Sequence, residues 1–343
     1  MKRSMCSSYW SESDKRNCLR FILYTINYFE TLMFIKHIMK NDSAISISNL
    51  SKQYGHFTAV DELSLEIPKG EVFGFLGPNG AGKSTTLRML LTLIQPTSGD
   101  ILIFNKNLKS HRSEILQQVG SIIEKPDFHL YLSAMSNLKI QAGLNGLRPT
   151  KSKLFEMFEM VGLKGRENDD VKAYSHGMKQ RLGLAQALIH DPKLIILDEP
   201  TTGLDPQGII DLRNMILHLK NDLKKTVVLS SHILSEIELI ADSMTIINKG
   251  KAVVQGRVGE LLSNEDLIIS IEPEQMELCL SAIQQSQWQK KWRANHDNII
   301  ELNLSKVEIP DLNKFLQVHN IATYSVSYKR TLEDYFLKLT SQN

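Results

Sequence analysis

A glycine-rich segment at residues 77–85, GPNGAGKST, carries the residue types that bind phosphate groups. It fits the pattern G-x-x-x-x-G-K-[ST], in which glycines let backbone N–H groups approach an anion closely. Lys83 would contribute a positive charge to the β- and γ-phosphates, and Ser84 an oxygen atom to Mg²⁺. We therefore predict a phosphate-binding loop, called the phosphate loop below, formed by Gly77, Pro78, Asn79, Gly80, Ala81, Gly82, Lys83, Ser84 and Thr85.

A second segment could supply the carboxylates that phosphate chemistry needs. The apolar run Leu194–Leu197 is followed directly by Asp198 and Glu199. Asp198 would hold Mg²⁺ directly or through water, and Glu199 would orient and polarise the attacking water. In isolation the pair could equally be a strand end capped by acidic residues. Beside a phosphate loop, the catalytic interpretation is favoured.

A third segment, Tyr174–Gln180 (YSHGMKQ), precedes a predicted helix over Met178–Ile189. With the two motifs above, this signature segment resembles the nucleotide-binding subunit of ATP-binding cassette (ABC) transporters, over residues 44 to about 260. The resemblance implies ATP as ligand, Mg²⁺ as metal and ATP hydrolysis. It also implies a head-to-tail dimer, in which Ser175 and Gly177 bind the γ-phosphate of the ATP held by the other subunit.

The resemblance assigns roles to further residues. Tyr54 stands where that family stacks an aromatic ring on adenine, although sequence alone also allows a half-exposed strand tyrosine. Asp205 ends the segment Thr202–Asp205, which resembles the loop that communicates between the two sites. His232 would contact the γ-phosphate and help Glu199 to hold the water. Lys83, Glu199 and His232 are therefore the predicted catalytic residues.

Two positions depart from the family pattern. Glu124 stands where the family usually has glutamine, and His176 replaces a glycine of the signature segment. A carboxylate cannot donate a hydrogen bond and repels a γ-phosphate. We therefore expect Glu124 either on the Mg²⁺ side of the site or solvated until the site closes. His176 is expected to be a spectator at the interface.

The glutamate at position 124 also indicates which group of ABC transporters the chain resembles. Together with the YS-x-GMKQRLG form of the signature segment, it resembles exporters that protect bacteria from bacitracin and lantibiotics. In those exporters the loop around the glutamate also contacts the membrane partner. We therefore expect an ATPase subunit that powers export of antimicrobial peptides.

The elements that must position these residues alternate between strands and helices. Apolar runs at Glu71–Leu76, Val119–Ile123, Leu194–Leu197 and Thr226–Ser230 predict a parallel sheet covered on both faces. A helix is predicted over Thr85–Ile94. The resemblance implies an α/β P-loop NTPase fold with a RecA-like core, an antiparallel β subdomain and a helical subdomain.

The chain divides into three predicted parts. Residues 1–42 form an N-terminal extension, 43–263 an ABC ATP-binding domain, and 264–343 a small α+β accessory domain. The apolar stretch at 21–35 is shorter than the ~20 residues that span a bilayer and contains Asn27 and Glu30. It could be a membrane-surface helix, or translation could begin at Met39, which we favour. A chain starting at Met39 is then expected to keep its ATPase and transport activity.

Composition limits the partners. A net charge of +2 gives no support for a nucleic-acid partner, and three separated cysteines indicate reduced thiols. We expect a separate membrane permease as partner, which would hold the subunit at the cytoplasmic face of the membrane. The alternatives are an exporter of another substrate, a soluble cassette ATPase such as one for cluster assembly, or a non-catalytic regulatory cassette. Glu199 and His232 oppose the last of these.

Overall fold

The computed structural model describes residues 43–124, 126–263, 267–296, 298–330 and 336. The expectations for the N-terminal extension, including the apolar stretch at 21–35 and the start at Met39, concern residues outside this part of the chain. Within the described ranges, none of the helices combines the length and the apolarity needed to cross a membrane.

An antiparallel sheet begins the described chain, and its strands have the order β2-β1-β4-β5. The strands are β1 Ser43–Tyr54, β2 Phe57–Pro68, β4 Ser98–Ile103 and β5 Lys106–Asn107. In β2 the side chains of Leu63, Leu65 and Ile67 are buried and alternate with more exposed neighbours, as in a sheet with one wet face. The sheet places Tyr54 at the end of β1.

A six-stranded sheet, of order β10-β9-β3-β8-β7-β6, forms the centre of the fold. Its strands are β3 Val72–Leu76, β6 Val119–Ile122, β7 Leu194–Leu197, β8 Thr226–Ser231, β9 Ser243–Asn248 and β10 Lys251–Arg257. All neighbours pair in parallel except β10, which is antiparallel to β9. The carboxyl ends of the parallel strands therefore meet at one edge, which is where ligands bind in such sheets.

Helices complete this unit. They are α1 Lys83–Leu90, α2 Arg112–Leu116, α3 Ala134–Leu144, α4 Lys151–Met160, α5 His176–Leu188, α6 Pro206–Asn221, α7 Leu234–Ile240 and α8 Val258–Ser263. Ser133, Thr150 and Ser175 cap α3, α4 and α5 by accepting hydrogen bonds from backbone N–H groups in the first turn. Leu138, Phe158 and other buried side chains of these helices join one core with the central sheet.

The last unit is a four-stranded antiparallel sheet with two helices. Its elements are β11 Leu267–Pro273, α9 Met276–Gln284, β12 Trp292–His296, β13 Ile299–Leu304, α10 Ile309–Val318 and β14 Thr323–Arg330. The strand order is β12-β13-β11-β14, which is a split β-α-β arrangement. It has its own core, which includes Ile269, Cys279 and Leu302. Burial raises the pKa of the Cys279 thiol to about 11, so this cysteine is an unreactive core residue.

Some element boundaries differ from the predicted ones. The helix predicted over Thr85–Ile94 begins at Lys83 and ends at Leu90, because Gly82 at φ 109° and Thr92 at φ 56° both leave helical geometry. The strand β12 was not expected, since Trp292–His296 shows no alternation of apolar residues.

Candidate nucleotide site

The phosphate loop joins β3 to α1, and its glycines are required by the backbone around them. A Cβ atom on Gly77 would lie 2.3 Å from the Ile247 carbonyl oxygen, and one on Gly82 would lie 2.6 Å from the Ala59 carbonyl oxygen. Gly80, at φ 79°, faces open space with no atom within 4 Å of the Cβ position. The loop is thus tightly packed on the protein side and leaves room for an anion at Gly80.

Lys83 is buried at the mouth of the loop. Its Nζ donates hydrogen bonds to the carbonyl oxygens of Gly77, at 2.7 Å, and Pro78, at 3.2 Å, and lies 3.4 Å from Glu199 Oε1. Burial lowers the pKa of Lys83, while the carboxylates of Glu199 and Asp198 act in the opposite direction. The side chain is therefore held where an entering phosphate could replace its backbone partners.

Asp198 and Ser84 present oxygen atoms to each other at the ends of β7 and the phosphate loop. The Ser84 hydroxyl donates to Asp198 Oδ1 at 3.1 Å, and the Ser230 hydroxyl donates to the same atom at 2.6 Å. Within the described residues no group of three or more histidine, cysteine, aspartate or glutamate side chains could hold a metal. Mg²⁺ often binds through one or two protein oxygens plus phosphates and water, so the Ser84–Asp198 pair fits that ion.

Glu199 lies between a cation and an imidazole. Its Oε1 is 3.4 Å from Lys83 Nζ, and its Oε2 is 3.2 Å from His232 Nδ1. Its backbone, at φ 45°, is tied down by a 2.8 Å hydrogen bond from its N–H to Ser230 Oγ. The structure therefore brings together Lys83, Glu199 and His232, the three residues that the sequence predicts as catalytic.

The signature segment starts α5, and the segment Thr202–Asp205 packs against it. The His176 ring lies 3.3 Å from the position that a Cβ on Gly203 would take, and the corresponding point on Gly177 is 3.6 Å from Leu204 Cδ2. Gln180 adds a buried hydrogen bond from its Nε2 to the Pro200 carbonyl oxygen, at 3.2 Å. Sequence reasoning missed this contact, because no pattern marks a side chain that reaches a distant carbonyl.

Two of the predicted binding residues, Ser175 and Asp205, cap helices. Ser175 Oγ accepts from the Met178 N–H at 3.3 Å and so caps α5. Asp205 Oδ1 accepts from the Gly208 N–H at 3.1 Å and caps α6. Ser175 as a residue remains exposed, so the cap leaves it accessible to a partner.

Tyr54 and Glu124 lie at the periphery. Tyr54 is 48% exposed, and Lys52 Nζ lies 4.9 Å from the centroid of its ring. Glu124, at φ 63°, is exposed and forms an ion pair with Arg88 of α1. Of the two positions expected for Glu124, the structure shows the solvated one. The pairing with Arg88 could not be read from the sequence.

Comparison with known proteins places this geometry in a family. The ABC transporter family model matches residues 60–202. The bacitracin transport ATP-binding protein BcrA of Bacillus licheniformis is 40% identical over 296 residues, which cover 86% of this chain and 96% of BcrA. The chain belongs to the ABC transporter family. The lantibiotic transport ATP-binding protein SrtF of Streptococcus pyogenes is 44% identical over 62% of this chain and 90% of SrtF.

A solved structure agrees with the ABC fold. CbiO1 from Clostridium perfringens, part of the ABC transporter complex cbiONQ, has a TM-score of 0.58 and 25% identity. The alignment covers 64% of this chain and 90% of cbiO1. The predicted family and fold are confirmed: a parallel core sheet, an antiparallel subdomain and an extra C-terminal α+β sheet.

Membership also confirms the general function. The chain is the ATP-binding subunit of an ABC transporter and an ATPase. Such ATPase subunits dimerise and associate with permeases in transporter complexes.

Proposed function

We propose that this ABC ATPase powers the export of antimicrobial peptides of the bacitracin and lantibiotic type. The observation that carries the proposal is the 40% identity with BcrA across 96% of that protein. The alignment of 296 residues is longer than the predicted ATP-binding domain at 43–263, so it includes residues outside that domain. The similarity to SrtF supports peptide transport but spans 211 residues. Bacitracin is therefore the first substrate to test.

Hydrolysis would take place between the phosphate loop and the carboxyl ends of β7 and β8. Lys83 would exchange its contacts with the Gly77 and Pro78 carbonyls for phosphate oxygens. Ser84 and Asp198 would hold Mg²⁺, which, when bound, supplies charge neutralisation at the phosphate oxygens. Glu199 would orient the attacking water and accept its proton, and His232, 3.2 Å from Glu199, would hold that carboxylate and the water in line.

The other proposed ligands lie around this centre. Tyr54 would stack its ring on adenine. Ser175 and Gly177 would bind the γ-phosphate held by a second copy, since both lie at the start of α5, where N–H groups favour an anion. Two copies arranged head to tail would then enclose two ATP molecules, with Asp205 near both sites.

A separate permease would carry the peptide across the membrane. The ATPase would sit at the cytoplasmic face, attached through that permease. Glu124 would lie toward the permease, since its exposed carboxylate pairs with Arg88 while Ser84 and Asp198 bond to each other.

The test is stimulation of ATPase activity in the intact transporter. The chain is co-expressed with its candidate permease, purified from membranes, and assayed with bacitracin, a lantibiotic and an unrelated apolar peptide of similar size. We expect the first two peptides to raise the rate and the third to leave it unchanged. The Asp198→Asn variant, which we expect not to hydrolyse ATP, serves as the negative control. Equal stimulation by all three peptides, or by none, would contradict the proposed substrate class.

A further inference from the structure

The strand β14 forms one edge of the C-terminal sheet. Among the described strands it pairs only with β11, in the order β12-β13-β11-β14. Its outer row of backbone N–H and C=O groups therefore faces away from the sheet. Such an edge is a template for pairing with another strand.

The side chains on this edge are unusually apolar for an exposed position. Tyr324 is 71% exposed, Tyr328 59% and Val326 37%. Val326 lies opposite Ile271 and Tyr328 lies opposite Ile269, and both isoleucines are buried in the core of this unit. The apolar row of the core thus continues to the open edge at Val326 and Tyr328.

The sequence of this edge reads the same in both directions. Residues 324–328 are Tyr-Ser-Val-Ser-Tyr, with Val326 at the centre. If two copies meet antiparallel about a two-fold axis at Val326, Val326 lies opposite its own copy. Tyr324 then lies opposite the partner's Tyr328, and Ser325 opposite the partner's Ser327. This register keeps the apolar face of each strand on the same side, whereas a one-residue slip would place valine opposite serine.

We propose that β14 pairs antiparallel with β14 of a second copy, which joins the two C-terminal sheets into one. The contact is isologous, since the same strand serves on both sides. Cross-strand aromatic pairs between Tyr324 and the partner's Tyr328 stabilise it, together with a central valine pair. Because the edge lies outside the nucleotide site, the contact forms without ATP.

The first experiment tests whether the two-fold axis of the pairing passes through Val326. Val326→Cys is introduced into the full chain with Cys6→Ser and Cys18→Ser, and disulfide formation is followed without nucleotide. The control is Val307→Cys, at a position that is 83% exposed. Val326→Cys should form disulfide-linked dimers at least about tenfold faster than the control, because only the proposed pairing holds the two thiols within bonding distance. Equal rates would overturn the proposal.

The second experiment tests the register. Tyr324→Lys and Tyr328→Glu are made singly and together, and the monomer–dimer equilibrium is measured by sedimentation without nucleotide. Each single change should raise the dissociation constant, while the double change places opposite charges across both ends of the pairing and should restore it to within about tenfold of the unaltered chain. A double variant no tighter than the singles would overturn the register. Circular dichroism verifies folding, and basal ATPase activity should stay within twofold of the unaltered chain.

Discussion

At the scale of single residues, the carboxylate of Glu199 is the group that we propose as the base for water. It lies between Lys83 Nζ and His232 Nδ1, and the Thr202 hydroxyl donates to its Oε2 at 3.3 Å. Glu199→Gln keeps the shape but cannot accept a proton. We expect ATP binding to persist and hydrolysis to fall roughly 10²- to 10⁴-fold. Nucleotide binding and steady-state hydrolysis are measured on the same preparation.

A neighbouring carboxylate supplies the control for that prediction. Glu236 accepts hydrogen bonds from Thr201 Oγ1 at 2.9 Å and Ser231 Oγ at 2.7 Å, so its role is to fix backbone segments. Glu236→Gln should retain most of the hydrolysis. If Glu199→Gln hydrolysed ATP as fast as Glu236→Gln, Glu199 would not be the residue that activates water.

Glu124 offers a prediction about coupling rather than chemistry. Its ion pair with Arg88 is exposed, and exposed pairs contribute only about 0–1 kcal/mol to stability. Glu124→Gln should therefore leave folding and ATP binding unchanged but reduce the peptide-stimulated part of the ATPase rate. Arg88→Gln breaks the same pair and keeps the carboxylate. If both variants lose peptide stimulation to the same extent, the ion pair is responsible for coupling. If both variants keep normal stimulation, Glu124 has no coupling role.

His190 predicts a pH dependence of stability. Its Nε2 bonds to the Val119 carbonyl oxygen at 3.1 Å, and its buried Nδ1 has no partner in the described part of the chain. Burial lowers the pKa of His190 below its ordinary value of 6.5. The unfolded chain therefore binds a proton first as pH falls, so stability is complete above pH 6.5 and decreases toward the lower folded-state pKa.

The measurement compares His190→Asn with the unaltered chain. Within that window one proton changes the free energy of unfolding by at most about 1.4 kcal/mol per pH unit. His190→Asn should lower stability at pH 7.5 but show a shallower loss between pH 7 and pH 5 in thermal denaturation. Parallel pH profiles for the two proteins would show that His190 titrates normally in the folded state.

At the scale of elements, sequence patterns predicted what is local. The strand Leu194–Leu197 follows from an apolar run and appears as predicted. The phosphate loop follows from a motif and leads into α1 as predicted, although the helix begins at Lys83 and not at Thr85. The C-terminal end of α1 does not match the prediction, because the helix ends at Leu90 and Thr92, at φ 56°, leaves helical geometry. The strand β12 was not predicted either. Its own residues show no alternation of apolar side chains, and it is recognised as a strand only by its pairing with β13.

The contact between β6 and α5 tests such a tertiary constraint. A Cβ on Gly120 would lie 2.1 Å from the Ala187 carbonyl oxygen, so backbone would have to move. Gly120→Ala should lower the free energy of unfolding by about 1–3 kcal/mol or more. Gly143, in α3, has no atom within 4 Å of its Cβ position, and Gly143→Ala should instead stabilise by about 0.5–1 kcal/mol. Denaturant unfolding of both variants gives the comparison, and similar effects would contradict the packing described.

At the scale of the whole molecule, the parallel sheet explains why distant motifs form one site. Strands β3, β7 and β8 end side by side, which brings Lys83, Glu199 and His232 together across about 150 residues of sequence. The meeting of these three residues was predictable, because the motifs follow one another along the chain in the order that resembles ABC transporter ATPases. The hydrogen bond from Gln180 to the Pro200 carbonyl was not, because it depends on how α5 lies against the loop after β7.

The relation between the predicted ATP-binding and accessory domains is also a property of the whole molecule. Phe336 is numbered within the accessory range at 264–343, yet its buried side chain belongs to the core cluster of the ATP-binding unit, which includes Phe158 and Leu182. Phe336 therefore contributes to the core of the catalytic unit. A fragment that ends at Ser263 would lack this side chain.

Phe336→Ala tests that contribution directly. Removing a buried phenylalanine typically costs about 3–5 kcal/mol, from lost burial and the cavity that remains. We expect the thermal transition of the ATP-binding unit to fall, and added ATP to raise it again by stabilising the folded state. Phe155→Ala, at a position that is 37% exposed on α4, removes the same group from a partly solvated site and should cost less. If the two variants melted alike, or if only the C-terminal sheet were destabilised, Phe336 would not support the catalytic core.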